Sequence, residues 1–238
     1  MIYLGTSGWY YEHWVGDFYP IDLERKKWLQ FYSNKFNTVE VNSSFYRMPF
    51  PNMLKGWKRK TPKDFIFSFK GNRIITHDKK LVGIKEILHR FYNIINITEE
   101  KRGVILWQFP PSLHRNDALL EKFLNELNHD ILQAIEFRHK SWYEKSVYKL
   151  LEKYSTGYCI VSCPDFPTHI EVTSDFAYIR WHGKYSWYSS NYSEEELKNW
   201  AKIIKNLDVK NIYGYFNNDF NCYAPKNCKQ LNEILELI

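Results

Sequence analysis

No apolar run in this sequence approaches the roughly 20 residues that a membrane-crossing helix needs, which excludes a helical membrane span. The opening Met1-Ile2-Tyr3-Leu4-Gly5-Thr6 has neither a basic leader nor a long apolar stretch behind it, so no secretion signal is read there and the expected compartment is the cytoplasm. Cysteine is scarce: Cys159, Cys163, Cys222 and Cys228 are spaced by three and five intervening residues within each pair, which fits no common zinc-ribbon pattern. They are expected to be free thiols in a reducing compartment. No HxH or HExxH spacing occurs, so no metal site and no cofactor are expected. Linkers, low-complexity tracts and internal repeats are also missing, which predicts one domain over residues 1–238.

What is present is a 238-residue chain, 44% hydrophobic and 25% charged, with 9 Trp, 18 Tyr and 16 Phe, far too aromatic for a disordered chain. Lys and Arg number 33 against 27 Asp and Glu, a formal charge of +6. That surplus suits a partner carrying phosphate, and it equally suits a lysine-rich solvated surface. The runs Arg25-Lys26-Lys27 and Lys55-Gly56-Trp57-Lys58-Arg59-Lys60 lie in helix-like stretches, where a solvated face is the default.

Short apolar runs alternate with segments of helical periodicity from end to end. Strands are expected over 2–7, 38–42, 65–70, 104–108, 133–138, 158–162, 176–182 and 211–217. Helices are expected over 24–34, 52–60, 80–96, 117–127, 144–154, 193–206 and 225–237. Ser193 with Glu196 reads as a capping box, and Asn116 or Asp117 as a further cap. Eight β/α units in this length predict an α/β fold, a (β/α)8 TIM-type barrel, with an irregular connection between strands 6 and 7 where no helix pattern appears.

Side chains alternate across a strand, so in a barrel one parity faces the interior. On the interior parity, polar residues fall at or near the C-terminal strand ends in six of the eight strands: Glu40, Asn42, Lys70, Gln108, Glu136, Arg138, Arg180, His182, Asn217 and Asp219. Barrel enzymes build their sites at that rim. A self-neutralising ion-pair layer is the alternative reading for any one Glu and Arg, since buried charges are costly unless paired. Ten polar groups converging on one mouth favour a ligand site. Two carboxylates suit proton transfer or glycosidic chemistry, whereas Lys70, Arg138 and Arg180, with Arg47 and His77 nearby, suit an anion. Trp9, Tyr46 and Trp142 lie on the loops, where rings stack on sugars or bases or else pack as a lid.

Long motifs also match a known family. Gly5-Thr6-Ser7-Gly8-Trp9, Trp14-Val15-Gly16-Asp17-Phe18-Tyr19-Pro20, Thr38-Val39-Glu40-Val41-Asn42-Ser43-Ser44-Phe45-Tyr46-Arg47, Ile75-Thr76-His77 and Leu106-Trp107-Gln108-Phe109-Pro110-Pro111 are five of them. Glu136-Phe137-Arg138-His139-Lys140-Ser141-Trp142, Tyr178-Ile179-Arg180-Trp181-His182-Gly183 and Tyr215-Phe216-Asn217-Asn218-Asp219 complete the set. The chain resembles the YecE-like family, domain of unknown function 72, from residue 5 to about residue 228. The resemblance implies the barrel and a site built from these motif residues, but no reaction. Cys222 and Cys228 depart from the family, which more often carries Gly and Ala there. The family's fold resembles the endonuclease IV and sugar-isomerase barrels, which implies a nucleic-acid role by analogy of fold alone. The His/Asp/Glu set of those zinc nucleases is not evident.

The expected function is therefore a metal-independent enzyme for a phosphorylated or otherwise anionic sugar-like molecule. Glu40, Glu136 and His182 are its catalytic candidates. Trp9, Asn42, Tyr46, Arg47, Lys70, His77, Gln108, Arg138, Trp142, Arg180, Asn217 and Asp219 are its binding candidates. A nucleic-acid-binding or DNA-repair-associated protein is the alternative, and a zinc-dependent phosphodiesterase the third reading.

Overall fold

The computed structural model describes residues 1–237. Eight strands run parallel: β1 (Ile2–Thr6), β2 (Thr38–Val41), β3 (Ile66–Lys70), β4 (Arg102–Gln108), β5 (Gln133–Glu136), β6 (Gly157–Ser162), β7 (Phe176–Trp181) and β8 (Asn211–Phe216). Their order is β1-β8-β7-β6-β5-β4-β3-β2, so β1 and β2 are left to meet and nearly close a TIM-type barrel. Each expected strand is present, with its ends moved by no more than two residues. The helices are α1 (Trp28–Ser33), α2 (Ser43–Tyr46), α3 (Pro51–Lys60), α4 (Lys85–Ile95), α5 (Asp117–Glu126), α6 (Lys145–Lys153), α7 (Glu194–Asn206) and α8 (Tyr223–Leu237). None of the described helices is long and apolar enough to cross a membrane.

The caps read from the sequence are made. Asn116 accepts the Leu119 amide at 3.0 Å, and Ser193 and Glu196 form a reciprocal capping box. The helix expected from residue 80 begins only at Lys85. Lys80 and Leu81 turn left-handed, with φ of 45° and 70°, and break the helical path after a π-helical turn over Ile74–Asp78. Between β6 and β7 the chain is irregular, as expected.

Side-chain parity sorts the core into two bodies. Val39, Phe67, Ile105, Trp107, Ile135, Ile179 and Trp181 face outward and pack in one cluster with the helices. Val104, Leu106, Ala134, Cys159, Phe176, Tyr178, Tyr213 and Tyr215 form a second cluster inside the barrel. A buried residue of this size contributes roughly 1.5–3 kcal/mol by leaving water. All four cysteines are buried free thiols.

The β1–β2 seam closes with side chains in place of a full ladder. One bridge joins Ser7 to Glu40. Below it the Asn37 carboxamide accepts from Leu4 N at 3.2 Å and donates to Ile2 O at 3.1 Å. The Tyr32 hydroxyl accepts from Thr6 N at 2.9 Å and donates to Thr38 O at 3.1 Å. Gly5 is required here, since a Cβ would come within 2.1 Å of Thr38 O.

Candidate functional site

The upper half of the barrel interior holds two carboxylates and two guanidiniums. Glu40 and Arg180 occupy inward positions on β2 and β7, Glu136 ends β5, and Arg138 follows it by one pleat. Arg180 lies between the acids, donating from Nη2 to Glu40 at 2.7 Å and from Nη1 to Glu136 at 2.6 Å. Glu40 also accepts from Ser7 Oγ and Tyr178 Oη, each at 2.6 Å. Glu136 takes a further hydrogen bond from Arg138 Nε. Both carboxylates and Arg180 are fully buried, so each charge depends on these partners. Burial alone would push the Glu136 carboxyl up, but the Arg138 and Arg180 guanidiniums hold it well below the usual carboxylate range. Arg180, opposed in turn by burial, is kept charged by Glu40 and Glu136.

His182 sits just past β7, fully buried. Its Nε2 lies 2.9 Å from Arg138 Nη2 and 3.3 Å from Arg180 Nη1. A guanidinium only donates, so Nε2 is the acceptor and the ring proton is on Nδ1. The Asn217 carboxamide nitrogen lies 3.0 Å from Nδ1, and with the ring proton there the amide is turned over so that its oxygen takes this place. Burial, reinforced by Arg138 and Arg180, holds the imidazole well below its ordinary pKa, so it is neutral.

Lys70, at the end of β3, behaves differently. Among the described residues no side chain forms an ion pair or hydrogen bond with its amine, which lies 4.1 Å from the Phe45 ring centroid. Burial, with Arg180 adding to it, brings its pKa down to about 7 despite the opposing pull of Glu136 and Glu40. Gly71 lets β3 leave the barrel here, because a Cβ would enter the Trp107 ring at 2.1 Å. His77, on the π-turn, meets the same Phe45 edge-on at 4.9 Å. Burial and the nearby Lys70 and Arg73 charges lower its pKa to about 4. Gln108 is half-buried at the rim, in register with Glu136, and makes no side-chain hydrogen bond among the described residues.

The remaining expected residues divide. Trp9, Asn42 and Tyr46 line a separate cleft of about 590 Å³ beside the mouth. Arg47 is exposed and stacks over Phe50 at 4.4 Å. Asp219 turns away from the network, accepting from Trp14 Nε1 at 2.6 Å and pairing with His13 at 3.0 Å, next to a second cleft of about 770 Å³. Burial raises its carboxyl to about 6. Trp142 is not at the mouth. It is fully buried, donates to Leu113 O at 2.7 Å and stacks on Phe137 at 4.8 Å, because its loop folds back over the outer face of β5.

Three contributors went unassigned in the sequence reading. Ser7 and Tyr178 anchor Glu40, and both share the inward parity that identified their neighbours. Trp187 covers the Arg138 guanidinium at 4.6 Å and is tied to Asp165 at 2.7 Å. Its position depends on two long loops and left no periodic signal. Among the described residues, no three His, Cys, Asp or Glu side chains gather as a metal site would require.

Comparison with known proteins gives a consistent result. The family model described as Protein of unknown function DUF72 matches residues 3–237. The chain is 28% identical to the UPF0759 protein YunF of Bacillus subtilis over 276 aligned positions, covering all of this chain and 95% of that protein. It is 27% identical to the UPF0759 protein YecE of Escherichia coli over 61% of this chain and 51% of that one. The crystal structure of a DUF72 family protein from Thermotoga maritima superposes with a TM-score of 0.91 at 33% identity, covering 99% of both chains. One from Enterococcus faecalis, 20% identical, shares the fold with a TM-score of 0.87 over all of this chain and 96% of that one.

Proposed function

We propose, for a chain that belongs to the DUF72 family and so inherits a barrel with no reaction attached, that the mouth is the active site of an enzyme moving a proton on a small anionic, sugar-like carbonyl compound. The observation that carries this reading is the setting of Lys70, whose amine lies 4.1 Å from the Phe45 ring centroid with no ion-pair partner among the described residues, beside the Glu40–Arg180–Glu136 network, a setting that brings its pKa down to about 7. A general base works best with a pKa near the working pH, and Lys70 is the mouth residue that meets this condition. Glu136 is fixed as an anion between two guanidiniums, and Glu40 is occupied by Arg180, Ser7 and Tyr178. The acid–base duty expected of the carboxylates therefore passes to Lys70, and they become positioning groups for the arginines.

In this scheme the neutral Lys70 amine accepts a proton from the carbon next to the substrate carbonyl. The electron pair moves onto the carbonyl oxygen as an enolate. Arg138, held flat between Glu136 and Trp187, provides fixed positive charge for the phosphate or carboxylate. Gln108 and Asn217 offer amides at the rim for substrate hydroxyls. No step here calls on a group outside the chain.

The test is deuterium exchange in D2O, followed by NMR, across a panel of aldose and ketose phosphates and sugar acids. One member should exchange its proton next to the carbonyl, at a rate that rises with pH through about 7, the Lys70 value. Lys70→Met should abolish the exchange, and Lys70→Ala should recover part of it with added methylamine. A panel with no exchange, or exchange that persists in Lys70→Met, overturns the assignment.

A further inference from the structure

The two basic runs that the ion-pair network leaves unused meet at the cleft lined by Trp9, Asn42 and Tyr46. On α3, Met53, Trp57 and Lys60 recur at intervals of four and three residues and so share one helical face, and all three line that cleft. From the other run, Arg25 and Lys26 reach the same rim, and Lys60 Nζ lies 3.4 Å from Lys26 O. Segments some thirty residues apart are thus folded onto one opening, which a merely solvated lysine face would not require.

The walls are aromatic. Trp9 stands edge-on to Trp57 at 4.9 Å, while Tyr46 is 72% exposed, Tyr10 57% and Met53 43%. Apolar surface left open in a cluster of this kind marks a binding site more often than scattered exposed residues do. Asn42 lines the cleft too, and its Oδ1 is buried without a hydrogen-bond partner among the described residues. Rotation about its terminal torsion presents either amide atom to a ring edge that carries an amino group beside a ring nitrogen.

Charge at the rim sets the size of the anion. Arg25 pairs with Glu12 at 2.7 Å, and Lys26 and Lys27 share Glu24 at 2.5 and 3.4 Å. Lys60 has no carboxylate within ion-pair distance among the described residues. The three cations that line the cleft, set against the two carboxylates that pair with Arg25 and Lys26, leave a surplus of one positive charge at Lys60, which suits a single phosphate group. A strand of nucleic acid would call for a longer uncompensated track. The volume of about 590 Å³ lies within the range of small-molecule sites.

We infer that this cleft binds a nucleoside monophosphate, its base stacked among Tyr46, Trp57 and Tyr10 with its edge at Asn42, and its phosphate at Lys60, Arg25 and Lys26. The wall between this cleft and the mouth is α2, where Phe45 faces Lys70 and Tyr46, edge-on to Phe45 at 5.0 Å, faces the nucleotide. The inference does not depend on the reading of Lys70.

Titration calorimetry with AMP, GMP, CMP and UMP tests it, with adenosine, ribose 5-phosphate, inorganic phosphate and a single-stranded oligonucleotide as comparison ligands. At least one monophosphate should bind about tenfold more tightly than its nucleoside and than ribose 5-phosphate, since each lacks one half of the recognition. Tyr46→Ala and Lys60→Glu, both at exposed positions, should each weaken binding about tenfold with melting temperature unchanged. Lys70→Met should leave binding intact, so failure here and failure of the proton-transfer reading are separable. No binding by any monophosphate overturns the inference, as does phosphate binding as tightly as the nucleotide, or affinity indifferent to both substitutions. An oligonucleotide that binds more tightly, with a steep salt dependence, replaces the monophosphate by nucleic acid and overturns it equally.

Discussion

The two sides of the barrel mouth are built on opposite plans. On the β5–β7 side, Glu136, Arg138, Arg180 and His182 are joined to one another, with Arg180 Nε the one buried polar atom of the group left without a partner among the described residues, and Arg180 extends the network across the interior to Glu40. On the β3 side, Lys70 has an aromatic ring for company and, among the described residues, no counter-charge of its own. With Glu40 counted, the network has two carboxylates for two guanidiniums and a neutral imidazole, so it is neutral as a whole and what it offers a ligand is the local positive charge of Arg138. Its arginines gain fixed positions. The unsaturated side keeps a group whose charge is undecided near neutral pH. Rigid framework and adjustable chemistry are thus separated within one mouth, and each can be attacked without the other.

The largest effect should come from the centre of the saturated side. Arg180→Met leaves Glu40 and Glu136 buried without their shared cation, which should cost about 3–5 kcal/mol of stability in urea unfolding, the range for breaking a buried pair. A loss under about 1 kcal/mol would mean that water already reaches the network, and the contrast between the two sides would collapse.

Glu136→Gln should have the next largest effect, about 2–4 kcal/mol, because Arg138 and Arg180 keep an amide in place of a carboxylate. Its pH signature is specific. The folded-state pKa of Glu136 lies well below its ordinary 4.5, so its stabilisation is complete above 4.5 and is lost as pH falls from there through the lower folded-state value. The acid limb of the wild-type stability curve should flatten in the variant. The same change should reach across the mouth and lower the Lys70 pKa further, since Glu136 is the leading carboxylate holding it up. NMR titration of Lys70 in the two proteins measures this coupling, and an unmoved titration would show the two sides to be electrically independent.

Much of this arrangement is legible in the sequence, because it rests on alternation. Period-two parity placed Glu40, Lys70, Glu136 and Arg180 inside the barrel, and the missing helix after Cys163 marked the irregular β6–β7 link. What alternation does not carry is pairing. Nothing in the sequence says that Arg180 lies between both acids while Lys70 has none, because that depends on how eight strands stagger around the barrel. Residues beyond the strand ends were less legible still. Asp219, two residues past Asn217, was placed at the mouth by extending the strand parity. The chain has left the strand by then, Asp219 itself being helical with φ of −81° and ψ of −10°, and the carboxylate meets Trp14 and His13 instead. Trp142 was misplaced for the same reason: parity ends where the strand does. The Asn37 and Tyr32 stitches at the seam carry no periodic signal, since each replaces a backbone partner by a side chain from a distant segment.

The smallest effect should have the opposite sign. Lys70→Met removes an amine that is half-buried at some cost and preserves the packing against Phe45, so it should stabilise the protein by roughly 1–3 kcal/mol at pH 6. The sign follows from linkage. Lys70 has an ordinary pKa of 10.5 and a folded value of about 7, so between those values the unfolded chain binds more protons. Wild-type stability from this group is therefore lowest below about pH 7 and recovers as pH rises toward 10.5, where the advantage of the methionine variant should vanish. Urea unfolding at a series of pH values reads the closing gap directly. A variant that is destabilised at pH 6 would show that Lys70 has a counter-charge after all, and would make the β3 side a second framework like the first.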